Sequence, residues 1–179
     1  MTEHPRLAPL APAERTDEQR AIIDSLDNEL NIFTTFVRNP ALFSAYATFA
    51  GRLLYRSGLP PTVREILILR TAYRCRSAYE WVHHVEIGGQ AGVPEDVIAA
   101  LRTERPTGID ADTALLVAAA DELATNQELA DETWAGLRGT FDERQLIEIC
   151  MLVGNYVMTA GVLKSLRVPL EDGYTAPDW

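Results

Sequence analysis

The sequence has few cysteines and lacks the segments that would direct it into a membrane. Its two cysteines, Cys75 and Cys150, stand far apart and form neither a CxxC pair nor a zinc-binding spacing. No apolar run approaches the roughly 20 residues that span a bilayer. The polar, proline-rich residues 1–13 lack the apolar core of a signal peptide. We therefore expect a cytoplasmic protein without membrane contact, in which both cysteines are thiols.

Basic residues are scarce relative to acidic ones. The 16 lysines and arginines are outnumbered by 26 aspartates and glutamates, which gives a net charge of −10. No local cluster of lysines and arginines offsets this balance. An acidic surface repels phosphate backbones and anionic lipids. The composition therefore predicts that nucleic acid is not a partner.

Strand patterns with hairpin turns are absent as well, and the apolar periodicity is helical nearly throughout. We predict an all-α protein of about seven or eight helices, with the helix from Thr62 central to the core because it is apolar on most sides. Helices are predicted over residues 16–30, 40–56, 62–75, 112–125, 131–138 and 142–160, with a short one from Pro94. A further helix is predicted from Ser77 to an end at Gly88-Gly89 or at Gly92. Residues 31–38 and 169–179 are predicted to be irregular, the latter lying along the surface or across a neighbouring subunit.

Polar residues cluster in the third and fourth predicted helices. Glu80 and His84 are four residues apart, so they share a helical face and are expected to hydrogen-bond. Glu65, near the start of the preceding helix, stands among apolar residues that would raise its pKa by desolvation. Two carboxyl groups and an imidazole in such a setting suit proton transfer.

Two other interpretations of this cluster remain open from the pattern alone. Thr62-x-x-Glu65 and Ser77-x-x-Glu80 both match the capping box, in which the glutamate only bonds the backbone at a helix start. Alternatively, the two glutamates and His84 could hold Fe(II), Mn(II) or zinc as a facial site. We favour no metal, because two histidines with one carboxylate are the commoner facial ligand set.

The same residues carry a resemblance to a known family. Residues 79–84 (YEWVHH), preceded by 65–67 (EIL) and followed by 92–94 (GVP), resemble the core signature of the carboxymuconolactone decarboxylase and alkylhydroperoxidase D-like superfamily. The stretch from 145 to 169 resembles the second half of its longer members. The resemblance implies one domain over residues 1–179, with an alkylhydroperoxidase D-like core at about 40–172 between two extensions. It also implies a homo-oligomer (dimer, trimer or hexamer) that acts on a small molecule.

This chain departs from the redox branch of that superfamily. In that branch a glutamate precedes a CxxC motif, and a histidine follows the second cysteine by four residues. The corresponding positions here are Glu65, Ser77, Glu80 and His84, so both cysteines of the motif are absent. Cys75 lies two residues before the first of them. A dithiol peroxidase cycle needs two thiols, so we do not expect that activity.

The sequence therefore predicts a cofactor-free acid/base enzyme, a decarboxylase-like lyase or an isomerase, acting on a small carboxylated or carbonyl compound. His84 is the predicted general acid/base, with Glu80 orienting it and Glu65 as a second acid/base group. Residues expected to contact the substrate are Ser77, Tyr79, Trp81, His83 and Tyr156. The alternatives are a residual peroxidase that uses Cys75 and a non-catalytic helical protein that binds a ligand or another protein.

Overall fold

The computed structural model describes residues 4–179, and within that range it contains nine α-helices and no strand. The first three residues of the predicted N-terminal extension lie outside this range. The helices are α1 (Asp17–Asp24), α2 (Asn31–Phe36), α3 (Pro40–Tyr55), α4 (Pro61–Arg74), α5 (Ala78–Gln90), α6 (Glu95–Leu101), α7 (Ala111–Asn126), α8 (Asp131–Arg138) and α9 (Glu143–Leu166). The predicted all-α class is confirmed.

Helix starts that carry a local signal lie where the sequence predicts them. The Asn39 side chain accepts a hydrogen bond from the Leu42 N–H at 3.3 Å, and Pro40 is the first helical residue of α3. Asp142 and Gln145 form a reciprocal capping box at the start of α9. Side-chain caps satisfy backbone N–H groups that a helix leaves unpaired, so these boundaries are readable from sequence.

Three predicted boundaries are wrong. Helix α1 ends at Asp24 instead of residue 30, and α9 continues to Leu166 instead of 160. The segment 31–38, predicted to be irregular, contains α2. This short helix has no side-chain cap of its own; instead, the hydroxyl of Tyr79 accepts the Ile32 N–H at 3.1 Å. A partner 47 residues away stabilises the helix, so the local sequence carries no signal for it.

Helix α4 forms the centre of the core, as predicted. Leu67, Ile68, Leu69 and Ala72 are fully buried, and the helix packs against α5, α7 and α9. One guanidinium is buried there as well. Arg70 makes paired hydrogen bonds of 2.6 and 2.7 Å to the Asp121 carboxylate, so the charge does not lie unpaired in the core.

Helix α9 is the one helix in the described range that is long and apolar enough, by length and composition, to cross a membrane. Charged and polar residues interrupt its apolar run in the sequence, so the helix was not expected to be a candidate span. Half of its most apolar stretch is buried inside the structure, against the rest of the core. Its outer side also carries apolar residues, namely Ile147, Met151, Met158 and Val162. The helix therefore has two apolar faces, of which its own chain covers one.

The C-terminal segment after α9 is irregular, as predicted, and folds back over α5 of its own chain. The Trp179 ring makes edge contacts with Tyr73 and Trp81, at centroid distances of 5.8 and 5.4 Å. The Tyr174 ring stacks on His83 at 4.8 Å. Of the two placements that the sequence left open, the structure has the one along the chain's own surface.

Candidate active site

The close approach of α4 and α5 determines where the polar cluster forms. A Cβ atom built at Gly88 would lie 3.2 Å from a methyl of Leu69 and 3.6 Å from the Cβ of Glu65. The absence of a side chain at residue 88 therefore lets the two helices come together. One turn earlier on α5, His84 faces Glu65 across this contact.

Three buried side chains form a continuous hydrogen-bonded chain across α4, α5 and α9. Oε2 of Glu65 lies 2.7 Å from Nδ1 of His84, and Nε2 of His84 lies 3.0 Å from the Tyr156 hydroxyl. Each of these residues is at most 8% exposed. We call this chain of Glu65, His84 and Tyr156 the relay.

The charges around the relay determine how its hydrogen bonds are directed. Burial raises the pKa of Glu65, but hydrogen bonds and positive charge from His84 and Arg64 outweigh burial and hold it below the usual range. The Glu65 carboxylate therefore accepts a hydrogen bond from Nδ1–H. Burial raises the pKa of Tyr156 well above its ordinary value, so its hydroxyl keeps its proton and can either donate to or accept from Nε2. This geometry leaves Glu65 placed to stabilise an imidazolium.

Glu80 is not the partner of His84, which corrects the sequence-based expectation. Neither of its carboxyl oxygens makes a hydrogen bond to a described residue. Side chains on a helix tilt toward its N-terminus, which carries Glu80 toward the start of α5, while α4 offers His84 a closer carboxylate in Glu65. Spacing along one helix could not reveal this competition.

Glu80 instead behaves as a buried neutral acid. Burial raises its pKa to about 8. The Ser77 hydroxyl and the Lys164 ammonium lower this pKa only in part, and the Ser77 hydroxyl does not reach hydrogen-bonding geometry. At pH 7 the carboxyl group is therefore largely protonated and able to donate a hydrogen bond.

The capping-box interpretation of the two glutamates is wrong. The N-cap of α4 is Pro60, so Glu65 is the fifth residue of the helix and points into the core with no exposed surface. Ser77 is the N-cap of α5, but its side chain accepts no hydrogen bond from the first turn. Proline at the first position of α4 starts that helix before Thr62 could cap it.

Comparison with known proteins finds a family match in the part of the chain that holds the site. The family model for carboxymuconolactone decarboxylases matches residues 40–123, which include Glu65, Glu80 and His84. The match supports the resemblance seen in the sequence over this part of the chain. No curated protein matches the chain by sequence.

Solved structures share the fold over nearly the whole chain. An uncharacterised peroxidase-related protein from Silicibacter sp. TM1040 has a TM-score of 0.78 and 19% identity, covering 94% of this chain and 91% of its own. The alkylhydroperoxidase AhpD core of an uncharacterised peroxidase-related protein from Ralstonia eutropha JMP134 has a TM-score of 0.76 and 18% identity, covering 95% of this chain and 95% of its own. A variant of the debrominase Bmp8, in complex with 2,3,4-tribromopyrrole, has a TM-score of 0.76 and 15% identity, covering 96% of this chain and 95% of its own. The predicted alkylhydroperoxidase D-like fold is confirmed.

Three of the residues predicted to contact a substrate lie in another cluster. The Tyr79 hydroxyl donates to Glu171, and Nε2 of His83 lies 2.9 Å from the same carboxylate. His83 is stacked between the rings of Tyr79 and Tyr174. Burial raises the pKa of Glu171, but His83, Tyr79 and a backbone N–H outweigh it and lower the pKa to about 2. Tyr79 and His83 therefore tie the C-terminal segment to α5, while Trp81 packs beneath Trp179.

Polar residues that the sequence analysis did not select lie beside the relay. The Tyr46 hydroxyl on α3 lies 3.0 Å from the Thr159 hydroxyl on α9. The side-chain amide oxygen (Oδ1) of Asn155 is buried and makes no hydrogen bond to a described residue. The sequence carries a signal for them, because positions 155, 156 and 159 are polar within the otherwise apolar stretch 149–163 of α9.

A cleft of about 500 Å³ opens at the N-terminus of α5. Ser77 and Tyr79 line it, together with Lys164 at the end of α9 and residues of the C-terminal segment. We call it the α5 cleft. Glu80 is the next residue of α5 after those that line the cleft, whereas His84 is seven residues beyond Ser77, roughly 10 Å at a rise of about 1.5 Å per residue.

The cysteines are poorly placed for thiol chemistry. Both are unpaired thiols, and burial raises the pKa of each. The negative charge of Glu80 raises that of Cys75 further, and Lys164 and Arg74 offset it only partly. The reactive thiolate is thus disfavoured at both positions. Within the described range, no group of three or more His, Cys, Asp or Glu residues is arranged to hold a metal ion.

Proposed function

We propose that this protein is a cofactor-free acid/base enzyme, a decarboxylase-like lyase or an isomerase that acts on a small carboxylated or carbonyl compound. The observation that carries the proposal is the buried relay of Glu65, His84 and Tyr156. A carboxylate that fixes an imidazole, which in turn contacts a phenolic hydroxyl, is an arrangement suited to moving one proton.

The relay passes a proton in either direction without a change in its geometry. When a substrate carbon next to a carbonyl is deprotonated, its proton goes to the Tyr156 oxygen, and the Tyr156 proton passes to Nε2 of His84. The resulting imidazolium is stabilised by the Glu65 carboxylate. Return of the proton to a carbanion or enolate, as after loss of CO₂, is the same sequence reversed, and it starts from an imidazolium that has taken up its extra proton from solvent.

Glu80 supplies a second function in this proposal. Because it is neutral near pH 7, it can donate a hydrogen bond to an oxygen on which negative charge develops. Unused hydrogen-bonding capacity on Glu80 and Asn155, both buried near the relay, supports a polar substrate group in this region. Glu65 takes the orienting role that the sequence assigned to Glu80.

The residual peroxidase alternative has less support. It requires a thiolate and a resolving thiol, whereas the pKa of Cys75 is raised and the CxxC positions hold Ser77 and Glu80. Replacing Cys75 with serine and measuring thiol-dependent peroxide consumption tests this alternative. Consumption that depends on Cys75 would favour it over acid/base chemistry.

Exchange of carbon-bound hydrogen in D₂O tests the proposal without knowledge of the natural substrate. A panel of small keto acids, ketones and carboxylated lactones is incubated with the protein, and loss of the α-proton signals is followed by NMR. We expect exchange of at least one compound, and a loss of about 100-fold or more in His84→Gln. Tyr156→Phe should also slow exchange while leaving the contact between Glu65 and His84 in place.

His4→Gln is the matched control, since His4 is exposed and lies outside the described helices. This variant should catalyse exchange of the substrate α-protons at the rate of the unaltered protein. Circular dichroism confirms that each variant is helical. An unchanged rate in folded His84→Gln contradicts the proposal, and an inert panel favours the non-catalytic binding alternative.

A further inference from the structure

The charges that line the α5 cleft are opposite in sign to the charge of the whole chain. Among the residues that the structure describes, its charged residues are Arg76, Lys164 and Arg167, and neither aspartate nor glutamate lines it. Lys164 is the only lysine in a sequence of net charge −10. Three cations in one cleft of an acidic protein create a local potential that attracts an anion.

The start of α5 adds a further positive field to this cleft. The helix has 13 residues, and Ser77, Ala78 and Tyr79 at its N-terminus all line the cleft. The first N–H groups of a helix have no partner within it, and no side chain caps them here. An uncapped helix N-terminus favours bound negative charge.

Ser77 gives an independent indication that the cleft holds a ligand. This serine is 1% exposed and lines the cleft, yet its hydroxyl makes no hydrogen bond to a described residue. A buried hydroxyl without a partner costs free energy. A serine at an N-cap usually bonds the helix backbone. Here the hydroxyl lies near the Glu80 carboxyl, whose pKa it lowers, and it keeps unused hydrogen-bonding capacity for a bound group.

Two of the cations, Arg76 and Lys164, keep donors for a ligand. The Arg76 guanidinium lies over the Tyr73 ring at 4.4 Å, a contact with the face of the ring that fixes the group without using its N–H donors. The Lys164 ammonium donates one hydrogen bond to the Cys75 carbonyl at 2.7 Å and has two more protons.

We propose that the α5 cleft binds the carboxylate of a small organic substrate, with the carbon skeleton directed toward Glu80. This inference rests on the proposed acid/base function and names its substrate class. Apolar side chains of Leu163, Val168 and Leu170 line the same cleft, which favours an organic carboxylate over inorganic phosphate. The cleft volume of about 500 Å³ lies within the range of small-molecule sites.

Binding of levulinate, which carries one carboxylate and one ketone, tests the inference by titration calorimetry. Methyl levulinate is the uncharged comparison, and inorganic phosphate is the anion without a carbon skeleton. We expect levulinate to bind at least about tenfold more tightly than either. Equal affinity for levulinate and its methyl ester overturns the inference, and phosphate binding as tight as levulinate replaces it with a general oxyanion site.

Charge variants identify the site. Lys164→Met keeps the aliphatic stem and should weaken levulinate binding by about tenfold or more, with no effect on the ester. Lys164→Arg should restore it, which separates loss of charge from loss of structure. Arg138→Met, on the exposed surface of α8, is the matched control and should bind as the unaltered protein does. Undiminished levulinate binding by folded Lys164→Met overturns the assignment.

Repeating the titration with His84→Gln separates this inference from the proposed function. His84 does not line the cleft, so this variant should bind levulinate normally although its exchange activity is lost. Binding that persists while the unaltered protein shows no exchange would contradict the acid/base proposal and leave the anion site standing. Exchange activity without carboxylate-dependent binding would support the acid/base proposal and overturn the carboxylate site.

Discussion

Glu80 is a carboxyl group held in an environment that favours its neutral form. It is almost fully buried, its oxygens have no partner among the described residues, and burial raises its pKa to about 8 from an ordinary 4.5. Between these two values the folded protein binds a proton that the unfolded chain has released. The folded state therefore loses stability as the pH rises through this interval, by at most about 1.4 kcal/mol per pH unit.

Glu80→Gln should remove this pH dependence. The glutamine cannot ionise, so the free energy of unfolding of the variant should exceed that of the unaltered protein by an amount that grows from pH 5 to pH 8. A difference of at least about 1 kcal/mol between the two ends is expected. Urea unfolding at pH 5, 6, 7 and 8 measures it, and other titrating groups cancel in the comparison. Parallel curves would show that Glu80 is ionised in the folded state.

Single residues also show where sequence reasoning stops. Spacing on one helix predicted that Glu80 would hydrogen-bond His84, but the imidazole is hydrogen-bonded to Glu65, 19 positions away. A pattern along one helix does not show whether a residue from another helix lies closer than the local partner. Tyr156, 72 positions from His84, was selected as a substrate contact, and its place in the relay depended on how α9 crosses α5.

At the scale of helices, the contact between α4 and α5 is set by one glycine. Gly88 lies against Leu69 and Glu65, whereas a Cβ atom at the adjacent Gly89 would meet nothing within 4 Å. The two glycines occupy the same helix and differ only in the face that they present. They form a natural pair for testing whether the close approach matters.

Gly88→Ala should destabilise the protein and Gly89→Ala should not. At residue 89 an alanine only improves helix propensity, so the free energy of unfolding should rise by about 0.5–1 kcal/mol. At residue 88 the new methyl group must displace fully buried Leu69, and we expect a loss of about 1 kcal/mol or more. Urea unfolding measures both. Equal effects would mean that the helices are not in close contact there.

Helices differ in how much of their position the sequence specifies. Helix α8 spans Asp131–Arg138, as predicted, and α3 begins at its predicted Asn39 cap, because acidic, asparagine and proline residues act within one turn. Helix α2 was missed because Tyr79 and buried packing of Ile32 stabilise it from a distance. Helix α9 was placed correctly but too short, since a single exposed glycine at residue 161 does not end an apolar helix.

At the scale of the whole molecule, the outer face of α9 remains apolar. Ile147, Met151, Met158 and Val162 are between 37% and 60% exposed and recur at intervals of three to four residues or their multiples. On the neighbouring α3, Leu42, Phe49 and Tyr55 are exposed as well. A continuous apolar strip along a helix of 24 residues is larger than isolated exposed side chains and indicates an interaction surface.

A second copy of the chain is the partner that we expect on this surface. Two-fold symmetry would place the same apolar strip against itself, so that each α9 covers the other. Met158→Glu introduces a charge at the middle of the strip and should shift an oligomer toward monomer, as measured by light scattering after size-exclusion chromatography. Trp134→Glu removes an exposed apolar side chain from α8 and should leave the mass unchanged. A monomeric unaltered protein, or equal masses for both variants, would assign the strip to another kind of partner.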